Sequence, residues 1–191
     1  MRGHLFLLIG PSGSGKTTLI QEVRKVRPAV RFIPTTTTRK PRPGEEHGRE
    51  YFFATDDEFD ALIARGDLLE WQWVHSNRYG TSRHRFEEAI EGGVLGITSI
   101  DVLGGVTVKS AFPDDSTSIF VRPSSPEELR RRLIARGDTP GEDLERRMER
   151  VEMEFAQQGR CDAVVTNDDG HLAVALEQLL EIMAPYLHDL G

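Results

Sequence analysis

Residues 10–18 read "GPSGSGKTT" and match the pattern G-x-x-x-x-G-K-[ST] in full. The stretch directly follows a short apolar run, His4 to Ile9, which we interpret as a buried strand. Behind it, apolar residues recur with helical spacing from Thr17 to Val26. In this context the backbone N–H groups of a glycine-rich loop and the helix N-terminus surround phosphate oxygens. The stretch therefore predicts a nucleoside triphosphate site formed by Gly10, Pro11, Ser12, Gly13, Ser14, Gly15, Lys16, Thr17 and Thr18.

Two side chains of this loop have expected tasks of their own. The Lys16 ammonium is expected to reach the β- and γ-phosphates of the bound nucleotide. The Thr17 hydroxyl is expected to be a ligand of the Mg²⁺ that accompanies those phosphates. Neither expectation chooses between a kinase, a GTPase and a motor ATPase, because all three classes use this loop.

The rest of the chain alternates between apolar runs and helical patterns. Further buried strands are predicted at 94–100, 118–121 and 163–166, with helices at 102–111, from 125, from 139 to about 158 and at 171–187. This alternation predicts a three-layer α/β domain on a mainly parallel sheet. Between about 35 and 91 the segments are short and mixed, with predicted strands at 51–54 and 68–74 and a helix at 55–65. We interpret that region as an insertion into a single domain of 191 residues.

Composition limits the partners and the compartment. Lys and Arg total 24 against 31 Asp and Glu, a net charge of −7, which disfavours binding to a nucleic-acid polymer. Cys161 is the only cysteine, so no intramolecular disulfide forms. The apolar run near the N-terminus is too short for a signal peptide or a membrane span. We therefore expect a cytoplasmic protein with no membrane partner.

Two absences favour a kinase of small metabolites. The guanine-reading string Asn-Lys-x-Asp of GTPases does not occur. An oligomeric ATPase is usually larger than this chain and shows a strong acidic Walker B pair. A small phosphate-loop protein with a polar insertion after its first helix is instead typical of a kinase with a second, small substrate.

The insertion begins with the polar stretch "TTTTRKPRPGEEHGREYFF", residues 35–53. Arg39 and Arg42 are able to form a bidentate fork on a phosphate, with hydroxyl donors at Thr35 and Tyr51. Glu45 is able to orient an arginine. In isolation such a run is more often a solvated loop, but its position behind the phosphate loop favours an anion site.

Farther along, "LLEWQWVHSNRYGTSR" places Glu70, Tyr79 and Thr81 at the ends of short predicted strands. A carboxylate only accepts hydrogen bonds, so Glu70 suits a base edge with two adjacent donors. Guanine has such donors at N1–H and N2–H₂, whereas adenine presents an acceptor at N1. The simpler interpretation of Glu70 alone is an exposed surface residue.

At this point the sequence resembles the guanylate kinases. The motifs "GPSGSGKTTL", "TTRKPRPGEEHGREYFF", "LLEW…VHSNRYGTSR", "SPEELRRRLIARG" and "VVTNDD" occur in that family's order and spacing over nearly the whole chain. The resemblance implies an ATP-dependent, Mg²⁺-assisted phosphorylation of GMP, and of dGMP as well, by a P-loop kinase fold that is a monomer or a homodimer. It also implies a core at about 1–34, 92–134 and 159–191, a GMP-binding insertion at 35–91 and a helical lid at 135–158.

The resemblance assigns residues as well. The GMP phosphate would be held by Thr35, Arg39, Arg42, Glu45, Tyr51 and Tyr79. Guanine would be read by Glu70 and Thr81, assisted by Asp101. On the ATP side, Arg132 and Arg136 match lid arginines, and Asn167 matches a residue near the adenine. Catalysis would rest on Lys16, Arg39, Arg136 and Arg147.

The chain departs from the family pattern after the strand that ends near residue 100. There it reads "TSIDVLGG", with Ser99 in place of an acid and Leu103 in place of a glutamine, while Asp101 is kept. We expect the lost charge at Ser99 to slow turnover or to change the metal dependence. Two other functions stay open: a kinase resembling ribose 1,5-bisphosphate phosphokinase, and a catalytically silent guanylate kinase-like binding module.

Overall fold

The computed structural model describes residues 2–74, 76–136 and 141–187, with all of their side chains except those of residues 136, 141–147 and 150. The described strands are β1 His4–Ile9, β2 Arg31–Phe32, β3 Thr36–Thr37, β4 Phe52–Phe53, β5 Leu68–Val74, β6 Asn77–Ser82, β7 Leu95–Ile100, β8 Ser116–Arg122 and β9 Ala163–Thr166. The described helices are α1 Lys16–Val26, α2 Asp56–Ala64, α3 Arg83–Glu91, α4 Val102–Ala111, α5 Pro126–Arg136, α6 Gly141–Ala156 and α7 Leu172–Leu187, with a 3₁₀ turn at Gln158–Arg160.

The central sheet has five strands in the order β2-β7-β1-β8-β9, and every neighbouring pair is parallel. All six residues of β1 are buried, because this strand lies in the middle of the sheet with helices on both faces. One face packs on α1 and α7 through Leu19, Val23 and Leu179. The other packs on α3 and α4 through Phe86 and Val108. The predicted three-layer α/β architecture with a mainly parallel sheet is therefore confirmed.

A second sheet has four strands in the order β4-β3-β6-β5. It is mixed, since β3 pairs with β4 in parallel while β6 pairs antiparallel with both β3 and β5. Helix α2 packs Phe59, which is fully buried, against this sheet. The helix begins with a capping box, in which the Thr55 side chain accepts from the Glu58 backbone and Glu58 accepts from the Thr55 backbone.

Most predicted element bounds are met within two residues. The elements that were not predicted include β2, whose two residues pair with Gly96 and Ile97, β3, which pairs with β4 and β6, and α3, which follows directly on β6. The predicted helix from 139 to about 158 is observed as α6 and ends at Ala156, two residues before the 3₁₀ turn begins.

His4 joins the start of β1 to the last helix. Its ring stacks on Tyr186 of α7 with 3.8 Å between ring centroids, and its Nε2 lies 2.8 Å from the Thr117 hydroxyl. Burial, reinforced by the nearby positive charge of Lys109, lowers the pKa of His4 from 6.5 to about 4. The folded protein therefore holds this ring in its neutral form near neutral pH.

We expect this histidine to make the fold sensitive to acid. The unfolded chain takes up a proton at His4 below about pH 6.5, but the folded ring does so only near pH 4. The stability that the neutral His4 ring contributes is therefore fully present above pH 6.5 and is lost as the pH falls from there toward 4. A His4→Gln variant lacks this proton uptake, so its urea midpoint should fall less over the same window. Parallel midpoint curves for the two proteins would contradict the assignment.

Candidate active site

The phosphate loop, residues 10–18, connects β1 to α1 and is held from several sides. A Cβ at Gly10, where φ is +140°, would lie 2.2 Å from the carbonyl oxygen of Val121, so β8 approaches the loop too closely for any side chain. Gly13 at the tip would place a Cβ 3.1 Å from Leu129 of α5. The Lys16 ammonium donates to the carbonyl oxygens of Gly10, at 2.5 Å, and Pro11, at 2.9 Å. The loop is therefore curled around its own lysine.

Asn167 supports the loop from behind. Its side chain is buried and Nδ2 donates to the carbonyl oxygen of Ser14 at 2.8 Å. A Cβ at Gly15 would lie 2.1 Å from the same nitrogen. In this structure Asn167 therefore contacts the loop backbone; its predicted position near the adenine of ATP stays a prediction.

Replacing Gly15 should cost much more than replacing an equally left-handed glycine in open space. Gly15 has φ +91° and Gly66 has φ +69°, but nothing lies within 4 Å of a Cβ placed at Gly66. Gly66→Ala should therefore lose only the left-handed strain, about 1–2 kcal/mol of stability. Gly15→Ala adds the overlap with Asn167 and should lose about 3 kcal/mol or more, together with nucleotide affinity. Urea unfolding and ATP titration of both variants test this; equal losses would contradict the close contact.

A cleft of about 460 Å³ extends from the phosphate loop to the second sheet. It brings together residues that lie far apart in the sequence. The predicted site residues on its wall are Gly10, Ser12, Gly13, Gly15, Lys16, Thr17, Thr18, Thr35, Arg39, Arg42, Glu45, Tyr51, Glu70, Tyr79, Thr81 and Asp101. Pro11, Ser14, Arg132 and Asn167 are not part of this wall, and the side chains of Arg136 and Arg147 lie outside the described part of the chain.

In the loop between β3 and β4, Glu45 accepts hydrogen bonds from two arginines. Arg39 donates through Nη2 to both carboxylate oxygens of Glu45 at 2.9 Å, and the Arg42 backbone N–H donates to the same carboxylate at 2.8 Å. The Arg39 guanidinium lies 5.3 Å from the Tyr51 ring centroid. Burial raises the pKa of Tyr51 above 10, and the neighbouring Tyr79 adds to that effect, so the phenol keeps its proton and can donate it. These donors suit a tetrahedral anion.

Deeper in the cleft a carboxylate and a hydroxyl form a pair. The Thr81 hydroxyl donates to Glu70 Oε1 at 2.5 Å, across the antiparallel β5–β6 register. The other oxygen, Oε2, lies against α4, where a Cβ at Gly104 would be only 2.7 Å away. Burial, and secondarily the charge of Asp101, raise the pKa of Glu70 to about 7. Such a raised carboxyl pKa in a cleft is typical of a functional site.

Asp101 has a structural task in addition to its place on the cleft wall. It is the N-cap of α4, and its Oδ1 accepts from the Gly104 backbone N–H at 2.8 Å. This bond closes the first turn of α4, in which Gly104 lies next to the Glu70 carboxylate. Direct contact between Asp101 and a ligand stays a prediction.

Arg132 is engaged in ion pairs on the far side of the loop. Its Nη2 donates to Glu128 Oε1 at 2.8 Å and to the carbonyl oxygen of Asn167 at 2.7 Å. Its Nε lies 2.7 Å from Asp169 Oδ1. The orientation of this guanidinium is therefore set by its protein partners, and its predicted contact with ATP stays a prediction.

One residue of structural importance was missed by the sequence analysis. Arg78 of β6 is buried and bridges to the first turns of α2, donating to Asp56 at 2.7 Å and also to Asp60. Its guanidinium stacks on Phe59, 4.7 Å from the ring centroid. Its neighbour Tyr79 lines the cleft, so this pairing positions β6 for the site. The acidic first turn at residues 56–58 was visible in the sequence, but its partner was not.

The chain resembles known proteins both in sequence and in structure. The sequence profile of the family described as guanylate kinase matches residues 2–186. The chain belongs to the guanylate kinase family.

The alignments with two relatives in this family cover most of this chain and most of each relative. The guanylate kinase of Streptomyces coelicolor is 43% identical over 166 residues, which cover 87% of this chain and 84% of that protein. The guanylate kinase of Salinibacter ruber is 42% identical over 185 residues, which cover 96% of this chain and 97% of that protein.

Two solved structures resemble this chain, one in sequence and fold and the other in fold alone. The guanylate kinase from Anaplasma phagocytophilum superposes with a TM-score of 0.76 at 26% identity, covering 98% of this chain and 88% of that one. A shikimate kinase from Bacteroides thetaiotaomicron, with a TM-score of 0.52 at 16% identity, shares the fold alone. None of the described helices of this guanylate kinase family member is both long and apolar enough to cross a membrane.

Proposed function

We propose that this chain transfers the γ-phosphoryl group of ATP to GMP, and to dGMP as well, giving ADP and the nucleoside diphosphate. The observation that carries the proposal is the Glu70–Thr81 pair in the same cleft as the phosphate loop. An ionised Glu70 accepts from the two adjacent donors of guanine, N1–H and N2–H₂, and would face a lone pair on adenine. Family membership supports the same substrate.

The chain's residues act by positioning and by neutralising charge. The phosphate loop holds the donor phosphates with its backbone N–H groups, and Lys16 exchanges its two carbonyl partners for phosphate oxygens. Thr35, Arg39, Arg42, Tyr51 and Tyr79 orient the acceptor phosphate in line with the donor. No protein nucleophile is needed, since one acceptor oxygen attacks the γ-phosphorus directly. Arg39 lines the same cleft as Lys16, and the two are proposed to stabilise the transferred group together.

We further propose that Mg²⁺ enters with ATP. The Thr17 hydroxyl lies on the cleft wall in the first turn of α1, where a P-loop kinase holds its ion. Among the side chains that the structure describes, no three acidic, histidine or cysteine groups converge to hold a metal unaided. Thr17 and the nucleotide's phosphates would therefore carry the ion, which supplies charge neutralisation on the β- and γ-phosphates.

Closure of the site is part of the proposal. The insertion at 35–91 and the lid at 135–158 would move toward the core when both substrates bind, and this would exclude the water that hydrolyses ATP. The lid would then bring Arg136 and Arg147 to the phosphates, while Arg132 and Asn167 serve the ATP side. We place this activity in the cytoplasm and assign it to a monomer or a homodimer.

An acceptor panel tests the function. Mg·ATP is offered with GMP, dGMP, AMP, UMP or ribose 1,5-bisphosphate, and ADP release is measured by a coupled assay. Release with GMP and dGMP only is the expected result. No release with GMP, together with clear release from another acceptor, would overturn the assignment. Calorimetric titration with Mg·ATP separates the silent module, which would give no heat.

The pKa of Glu70 makes a prediction for the pH profile. With that pKa at about 7 in the free protein, a falling pH converts the carboxylate into a carboxyl group that no longer accepts from both guanine donors. The kcat/KM for GMP should therefore fall about tenfold per unit below pH 7 and level off above it. In Glu70→Gln this limb should vanish. A wild-type profile that is flat between pH 5.5 and 7 would refute the ionisation.

A further inference from the structure

One face of α1 extends the cleft wall beyond the phosphate loop. Thr17, Ile20, Gln21 and Arg24 all line the cleft, at the spacing that puts residues on one side of a helix. Arg24 lies seven residues beyond Thr17, roughly 10 Å along the helix axis. Side chains on a helix generally lean toward its N-terminus, which from position 24 is the direction of Gln21 and the phosphate loop.

The acceptor phosphate site is short of positive charge without this residue. Arg39 is neutralised by its bidentate pair with Glu45, and Arg49 lies in ion pairs with Glu46 and Glu50. Arg42 uses only its backbone N–H on Glu45. A phosphate monoester carries about −1.5 to −2 at neutral pH, whereas the set Arg39, Glu45 and Arg42 sums to one positive charge.

Arg24 is the cleft cation that can close this difference. No carboxylate in the described part of the chain forms an ion pair with it or with the Arg42 guanidinium. Its side chain is exposed to the cleft, and Phe32 and Thr35 line the same wall. Thr35 is itself predicted to contact the acceptor phosphate, so Arg24 and the predicted phosphate site line the same cleft.

We propose that Arg24 is a further binding residue for the acceptor, donating from α1 to the phosphate of the nucleoside monophosphate. The inference rests on the proposed function for the nature of the acceptor. With Arg24, the charge facing the phosphate rises from one to two, and the phosphate is held between helix α1 and the Arg39–Arg42 loop. Binding of the monophosphate therefore draws the second sheet toward the core.

Arg24→Met tests the proposal, with Lys25→Met as the matched control. Lys25 is the next residue on the same helix, pairs with Glu22 at 2.6 Å and is not part of the cleft wall. Loss of one charge-assisted hydrogen bond at an exposed site should raise the KM for GMP about tenfold. The KM for ATP and the melting temperature should stay near wild type, and Lys25→Met should change none of these. Arg24→Lys, which keeps the charge, should restore most of the affinity.

Calorimetry with GMP and with guanosine then isolates the phosphate. Arg24→Met should weaken GMP about tenfold and leave guanosine binding as in the wild type. Unchanged GMP affinity, or an equal loss for guanosine, would overturn the proposal, the second outcome because it indicates a purely structural effect. Failure of the proposed function would instead appear in the wild-type protein, as no ADP release with GMP. The binding comparison decides the role of Arg24 independently of that result.

Discussion

Lys16→Ala should lower kcat for ATP-dependent GMP phosphorylation by about 10²–10³, by analogy with removal of one preorganised donor from a transition state. The Lys16 ammonium is held by the carbonyl oxygens of Gly10 and Pro11, so it already lies within the phosphate loop before any ligand arrives. Charge on the transferred group spreads over its oxygens in the transition state. An ammonium placed beforehand stabilises that charge with little reorganisation.

The loss should lie in the chemistry more than in the fold. Gly10 lines the cleft, so its carbonyl oxygen can accept from water in the variant, and the melting temperature should change little. Lys25→Ala removes an exposed lysine from the same helix and is the control, with near-normal kcat expected. Near-normal turnover in Lys16→Ala would contradict the assignment of the phosphate loop as the donor site.

Glu70→Gln should reduce kcat/KM for GMP by about 10²–10³. The amide keeps the shape of the carboxylate but offers one acceptor and one donor, so one guanine N–H meets an N–H in a partly buried site. Adenine, with an acceptor at N1 and a donor at N6, matches the amide better than the carboxylate. The ratio of GMP to AMP turnover should therefore fall by more than the GMP rate alone.

The ATP side of the cleft serves as the internal reference for this variant. The KM for ATP should stay near wild type, because Glu70 lies in the second sheet and the donor phosphates lie at the loop. Glu91→Gln makes the same chemical change at an exposed position at the end of α3 and should leave both substrates unaffected. An unchanged base preference in Glu70→Gln would refute its role as the guanine-reading residue.

The parts of the fold that were predicted from the sequence are those in which local signals agree. β1 and β9 are apolar runs of the right length, and α2 begins with an explicit capping box. β2 escaped prediction because two residues have no period, and their strand geometry comes from pairing with β7. α3 escaped because its first turn is basic, against the helix dipole, so only Phe86, Ala89 and Ile90 on its buried face indicate a helix.

The candidate site shows the same division. The site residues that belong to a characteristic motif, from Gly10 to Thr18 and from Thr35 to Tyr51, were predicted from the sequence pattern. Contacts between distant segments were not: the support of Ser14 by Asn167 spans 153 positions, and that of β6 by Arg78 depends on α2. Asp101 illustrates the limit, since its cap on α4 follows from an ordinary local rule while its place beside Glu70 depends on how α4 meets β5.

Both tryptophans of the chain, Trp71 and Trp73, lie on β5, the strand that carries Glu70, and contact Phe59 and Arg78 on the face of the second sheet away from the cleft. Trp71 directly follows Glu70, its side chain is 40% exposed, and that of Trp73 is 55% exposed. No tryptophan lies in the phosphate loop or in the central sheet. The tryptophan fluorescence of the protein therefore comes from the second sheet alone. Stopped-flow traces of the unlabelled wild-type protein should therefore follow the proposed movement of this sheet when GMP binds.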